Sequence, residues 1–338
     1  MRYHFTAPIL SLPGDQAISL LLPVLLIQVL LLICLLGWLA FVPGTSWATL
    51  ATAATGTALF LFAMSRVAQW AVPGWWLPNV YWGLFAVAIL VQVLAAARSG
   101  GVPAWPASAG GWAGAVLGLV LIGVGGFYSA RVIEAGRVPP GPVVDIENPF
   151  LDGHFLVGHG GGIEQLNGHL KTLDPEIERF GNWRGQSYAV DFFGTGHWGL
   201  RADGLQPADP ARYAIFGADL VAPCDGEAIA VENAMPDLHV PESDADRKLG
   251  NHVLLRCGDA VIVMAHLRQG SVRVAAGERV AAGDPVAQVG NSGNSTEPHL
   301  HIHAQRQGPP ETPLAAEPLW LRFLVRGDRL RGRQGNAA

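Results

Sequence analysis

Three histidines alternate in the segment Glu297-Pro298-His299-Leu300-His301-Ile302-His303. A strand sends every second side chain to one face, so His299, His301 and His303 project together while Leu300 and Ile302 turn to a core. Imidazoles grouped this way pack poorly and make good zinc ligands or proton carriers. The bland reading is a solvated, His-rich strand edge. Two more residues weigh against it. His266 ends an apolar run in Met264-Ala265-His266-Leu267, and Asp191 follows Tyr188-Ala189-Val190. A carboxylate placed there is costly to bury unless it is paired, hydrogen-bonded or metal-bound.

These residues need strands to hold them. Short apolar runs separated by Gly-containing turns are expected as strands at 188–192, 219–222, 227–232, 252–257, 261–266, 270–274, 285–289 and 299–304. Many short strands argue for an antiparallel β-sandwich or barrel rather than for βαβ units. Two polar stretches, 194–217 and 233–250, interrupt the pattern, and loops of that length are expected as functional walls or lids.

The first 130 residues are of another kind. They hold four charged side chains, Arg2, Asp15, Arg66 and Arg98. Four stretches, 18–42, 47–64, 80–97 and 112–132, have the roughly 20 apolar residues that cross a bilayer. Trp47, Trp70, Trp75, Trp76 and Trp112 lie near their ends, where amphipathic rings meet headgroups. A soluble helical bundle would need polar outer faces, and these segments have none. A Pro-rich stretch, 138–147, reads as a stiff linker, and the Arg- and Gly-rich end, 326–338, as a flexible tail. The domain plan is therefore a transmembrane region (1–137), a linker, a catalytic domain (148–325) and a tail. With a net charge of −5 and no basic stripe, nucleic acid is excluded as a partner.

The order of motifs narrows the chemistry. Asp191 comes first, then Val221-Ala222-Pro223-Cys224-Asp225-Gly226-Glu227 and Gly250-Asn251-His252-Val253. Ala265-His266-Leu267 follows, then the Gly-rich run from Val280 through Gly290-Asn291-Ser292-Gly293-Asn294 to His299-Leu300-His301. This series resembles the lysostaphin/LytM-type zinc endopeptidases over roughly residues 148–305. The resemblance implies an all-β domain with a narrow groove and one zinc per chain, held by two His and one Asp. It implies Asp191 and His301 as ligands, with His266 and His299 as the catalytic histidines beside the zinc-bound water.

The family's first His ligand stands four residues before the Asp, where this chain has Ser187. Relatives with a Gln-x-Tyr-Ala-x-Asp strand, here Gln186 to Asp191, resemble this chain and take that ligand from an upstream Asn-x-His. His169, in Asn167-Gly168-His169, is the expected first ligand, with His159 and His197 as alternatives. His154, His239 and His252 read as surface or turn residues and Asn294 as a substrate-binding residue; His303, where the family often has a Glu, reads either as a support behind a ligand or as substrate-binding groove wall.

The resemblance further implies hydrolysis of peptidoglycan cross-bridges or stems, or of another Gly-containing peptide, on the outer face of the membrane. The alternative is a non-catalytic binding module that regulates another cell-wall hydrolase. Cys224 and Cys257 fall near each other if Glu232 pairs opposite Asn251, giving either a disulfide or two buried thiols.

Overall fold

The computed structural model describes residues 22–41, 46–137, 143–321 and 326–333. Four of its helices are long and apolar enough to cross a membrane: α1 (Val24–Phe41), α2 (Trp47–Val67), α3 (Leu77–Arg98) and α4 (Ala109–Ala135). The expected spans fall within or overlap them; residues 18–21 and 42 lie outside the described residues. Large side chains such as Leu84, Leu90, Leu94, Leu119 and Phe127 face outward, the arrangement that helices in lipid would show. Serines begin two helices. Ser46 Oγ accepts from Thr49 N (3.1 Å) and Ser108 Oγ from Gly111 N (3.2 Å), each satisfying an otherwise orphaned helix donor.

Between two apolar helices in lipid there is little hydrophobic drive, so close approach of backbones must supply the packing. α2 and α4 achieve it with glycine. A Cβ on Gly118 would sit 2.6 Å from the Thr52 carbonyl carbon, and one on Gly56 would sit 2.6 Å from the Gly118 oxygen. Polar side chains close the bundle: Gln92 Nε2 donates to the Leu39 carbonyl (2.9 Å), Tyr81 Oη to that of Gln28 (2.9 Å) and Ser129 Oγ to that of Leu59 (3.1 Å).

The second half is antiparallel sheet. Its strands are β1 (Val143–Val144), β2 (His154–His159), β3 (Val190–Gly194), β4 (Asp219–Val221), β5 (Gly226–Glu232), β6 (Asn251–Cys257), β7 (Ala260–Leu267), β8 (Arg279–Val280), β9 (Pro285–Gln288), β10 (Leu300–Gln305), β11 (Pro318–Leu321) and β12 (Arg329–Arg331). The large sheet runs β12-β2-β3-β10-β7-β6-β5-β8, with β11 on β10 and β1 parallel to β11; β4 and β9 pair separately. Phe150, Phe155, Phe192, Leu255, Ile262, Met264, Leu300 and Ile302 share one buried core.

Registers place the chemistry. His301 lies directly opposite Asp191 across β10–β3, and His159 opposite Asp191 across β2–β3, beyond a bulge. Three neighbouring strands thus present His159, Asp191 and His301 in a row.

Several expectations are corrected. Residues 270–274 form no strand; Asn233 Oδ1 instead accepts from Val272 N in a loop. β2 lies upstream of every strand foreseen. Residues 143–144 of the expected linker pair with β11, while 138–142 lie outside the described residues. The end expected to be flexible contains β12, paired with β2. Arg326 explains why: it is buried, and its guanidinium donates to the carbonyls of Gly158 (2.8 Å), Val67 (2.7 Å) and Gln165 (2.9 Å). Residues 334–338 lie outside the described residues.

The halves are joined beyond the chain itself. Arg66 pairs with Asp328 (3.0 Å), Gln69 Nε2 donates to the Gly158 carbonyl (3.2 Å), Arg201 N to that of Ala71 (3.1 Å) and Trp76 Nε1 to that of Trp198 (2.7 Å).

Filling the glycine seam must push the helices apart. Gly118→Val should lower the melting temperature of the detergent-solubilised protein, with overpacking costing about 1–3 kcal/mol. Gly123→Ala, with nothing within 4 Å of its Cβ, should be neutral or slightly stabilising. Equal melting of the two variants would refute the seam.

Candidate metal centre

The Asp191 carboxylate is 6% exposed and surrounded by imidazoles. His301 Nδ1 lies 2.9 Å from its Oδ1, His169 Nε2 3.5 Å from its Oδ2 and His299 Nε2 3.9 Å from its Oδ1. His159, His169 and Asp191 can bring ligand atoms within 4.8 Å of one another. Distance alone therefore offers Asp191 and four histidines, and hydrogen bonding distinguishes His301, His169 and His159.

The sorting begins at groups that can only accept. Gln305 Nε2 donates to the Pro313 carbonyl (2.5 Å), so its Oε1 must accept from His303 Nε2 (3.0 Å). Burial lowers the proton affinity of His303 well below the ordinary histidine range, aided by the charge of His301. His303 is thus neutral, and its Nδ1 accepts from His301 Nε2 (3.0 Å). His301 is left to face a carboxylate with Nδ1. Two lone pairs at 2.9 Å need a cation between them, either a proton or a metal.

His169 obeys the same logic. Asn167 Nδ2 donates to the Ala189 carbonyl (3.0 Å), which turns its Oδ1 toward His169 Nδ1 (2.9 Å). The ring proton sits on Nδ1, and the Nε2 lone pair points at Asp191. Such an outer partner is the usual device for fixing a ligand's tautomer. His159 is the opposite case. Its Nδ1 accepts from Gly168 N (3.3 Å), so the neutral ring carries its proton on Nε2 and offers no lone pair there. The donor set that fits zinc is His169 Nε2, Asp191 and His301 Nδ1, with His159 beside it. Two His and one carboxylate are a catalytic zinc set, leaving a position for water.

Ser187 does not compete. It is buried, its Oγ donates to the Arg184 carbonyl (2.6 Å) and lies 2.8 Å from Thr172 Oγ1, which donates to the His169 carbonyl (2.8 Å). The residue at the usual ligand position buttresses the turn that carries His169.

His266 and His299 stand alongside, ring centroids 4.7 Å apart. His266 has a left-handed backbone, φ 61°, a conformation rare for a residue with a Cβ and a mark of functional strain. Its Nδ1 donates to the Ser292 carbonyl (2.9 Å), and His299 Nδ1 to that of Glu297 (2.8 Å). That leaves Nε2 of each ring for other partners, the one of His299 lying 3.9 Å from Asp191 Oδ1. Burial lowers the proton affinity of His266 well below the ordinary histidine range.

These groups open into a cleft of about 950 Å³. Both polar excursions contribute to it, through Arg201 and Gln206 and through Asp246, Lys248 and Leu249; Asn294 lines it as well. The helical half adds Val24, Gln69, Ala71 and Val72, a wall no pattern in the sequence announced. Of the two places expected for His303, the structure gives the one behind a ligand: it is fully buried and bonded to His301 Nε2 (3.0 Å), so it is not groove wall. His197 and His239 are exposed and outside the cluster, and His252 bonds its own turn at Gly250. Asn167 and Gln305, which fix the tautomers, were not foreseen as site residues; the Asn167-Gly168-His169 spacing carried a signal for the first. Cys224 and Cys257 are disulfide-bonded, and Cys34 is free.

Comparison with known proteins gives one family. Residues 214–313 match Peptidase family M23. That stretch holds His266, His299 and His301 but not His169 or Asp191. The fold is similar to the catalytic domain of the antimicrobial peptidase lysostaphin from Staphylococcus simulans, at 21% identity over 38% of this chain and 72% of that one, with a TM-score of 0.25. A zinc-containing peptidase from Vibrio cholerae matches at 18% identity over 42% and 48% of the two chains, TM-score 0.22. The catalytic domain, as an A109H mutant, of the prophage-encoded M23 protein EnpA from Enterococcus faecalis matches at 27% identity over 29% and 72%, TM-score 0.18. No curated protein matches the chain.

The buried imidazoles make the metal-free domain acid-sensitive. Burial lowers His169 to about 3, and lowers His266 and His303 as well. Below the unfolded value near 6.5 the unfolded chain takes up protons that the folded chain refuses, so stability falls as pH drops from there toward 3. Burial opposes ionisation of Asp191, yet the surrounding imidazoles win and hold it below the usual carboxylate range. Its stabilisation, present above about 3.8, is lost as pH falls further. EDTA-treated protein should therefore melt progressively lower from pH 7.5 to 4.5, by at most about 1.4 kcal/mol per pH unit per histidine. A flat profile would contradict the neutral, buried assignment.

Proposed function

We propose that this protein is a membrane-anchored zinc metalloendopeptidase that hydrolyses peptide bonds in peptidoglycan cross-bridges or stems, or in another extended Gly-containing peptide. One observation carries the reading. His169 and His301 face a buried carboxylate at 3.5 and 2.9 Å while His266 and His299 stand beside it, all within one cleft. The M23 match over 214–313 supports the same chemistry.

When bound, zinc supplies the Lewis acidity that makes water a nucleophile near neutral pH. The chain does the rest. Asp191, His169 and His301 would hold the metal. The carbonyls of Ser292 and Glu297 orient His266 and His299, so that their Nε2 lone pairs receive the proton of the attacking water. Once protonated, the same nitrogens donate to the oxyanion and return a proton to the leaving amine. Extended peptide lies in the cleft, with Asn294 at its edge.

Placement on the outer face draws support from the Cys224–Cys257 disulfide, because such bonds persist in oxidising compartments. The four helices run up and down, so the α2–α3 connection and the end of α4 lie on the side of the catalytic domain. That domain therefore works at the membrane surface.

Purified full-length protein should contain about one zinc, lost in His301→Ala, Asp191→Ala and His169→Ala and kept in His159→Ala. His266→Ala and His299→Ala should keep zinc yet lower kcat at least about a hundredfold on a cleavable cell-wall peptide, with KM changed much less. The double variant should lose less than the product, since both act on one transition state. Single-turnover cleavage alongside metal analysis decides the matter. A zinc-loaded wild type inactive on every peptide would turn the reading to a regulatory binding module.

A further inference from the structure

Three cations line the cleft without a counterion. Lys171 lies in the turn that carries His169, Arg179 in the short helix Glu178–Gly181, and Lys248 at the end of the 233–250 excursion. Among the described residues none of the three pairs with an acid, whereas most other cleft charge is accounted for. Arg201 pairs with Glu297 at 2.9 Å, and Asp191 faces the imidazoles. Asp246 alone is left as an opposing carboxylate on the lining.

Lys248 is the most constrained of the set. Its Nζ lies 3.8 Å over the Trp183 ring. Burial, then the charges of Lys171 and Arg179, lower its proton affinity, with only Asp246 acting the other way. Lys171 and Arg179 are exposed and Lys248 is half-buried, and like charges gathered at a cleft attract an anionic ligand. The wall is also tied to the reacting groups. The Lys248 carbonyl accepts from Asn294 N (3.1 Å), and the next carbonyl, of Leu249, accepts from His266 N (2.9 Å). The backbone that carries Lys248 is therefore hydrogen-bonded next to His266.

We propose that Lys171, Arg179 and Lys248 form an anion subsite of the cleft, and that the substrate is an acidic peptide whose carboxylate docks there beside the scissile bond. The inference deepens the peptidase reading and rests on it for the word scissile. The cations come from three separate segments along one wall, an arrangement that suits a carboxylate-bearing extended chain.

The probes are two extended Gly-rich peptides, identical except for Glu or Gln at one position, offered to zinc-loaded full-length protein in a zwitterionic detergent. Scanning that position along the peptide should find a site where wild type prefers Glu in kcat/KM by about tenfold, the size of one charge-assisted hydrogen bond. Lys248→Met and Arg179→Met should each shrink that ratio, the double variant should bring it near one, and Lys248→Arg should retain it. Added salt should weaken the preference. Labelled peptides binding to zinc-loaded His299→Ala should show the same preference in Kd. A wild type indifferent to Glu or Gln at every position, or a double variant that keeps the preference, would overturn the subsite. So would a wall that instead binds phosphatidylglycerol vesicles through Lys248. Preferential binding of the Glu peptide with no cleavage of either would uphold the subsite and remove the peptidase reading; equal cleavage of both would do the reverse.

Discussion

The structure turns on a buried carboxylate ringed by imidazoles. Asp191 lies opposite His301 across one pair of strands and within 3.5 Å of His169 from a separate turn. Acceptors forced together in a low-dielectric interior repel unless a cation lies between them. The surroundings sharpen that conflict: the Pro313 carbonyl acts through Gln305 and His303, and the Ala189 carbonyl through Asn167. A proton or a metal between His301 and Asp191 resolves it.

The four histidines differ by what each ring touches. His301 spends Nε2 on His303 and faces the carboxylate with Nδ1, whereas His169, His266 and His299 bond an oxygen through Nδ1 and keep Nε2 for other partners. Of those three, His169 stands 3.5 Å from Asp191 and His299 3.9 Å. The hydrogen bonds of Ser187 brace the turn that carries His169.

The helices do more than tether. The connection between α2 and α3 forms part of the cleft wall, and Arg326 ties it to β2 through the Val67 and Gly158 carbonyls. β2 in turn carries His159 and borders Asp191.

Much of this was legible in the residues alone. Unbroken apolar runs mark helices whose backbone must satisfy itself, and alternation along 299–303 puts Leu300 and Ile302 in the core and the histidines together. Asp191, His266, His299 and His301 declared themselves as polar groups on otherwise apolar strands. What the sequence could not supply was anything set by a distant partner. The buried place of His303, the separation of His169 from His159, the strand in the C-terminal end and the helical wall of the cleft all depend on carbonyls and strands remote in the chain. A side chain's type is local, but the tautomer it adopts and the face it meets are fixed by hydrogen-bond partners that only folding brings within 3 Å or so.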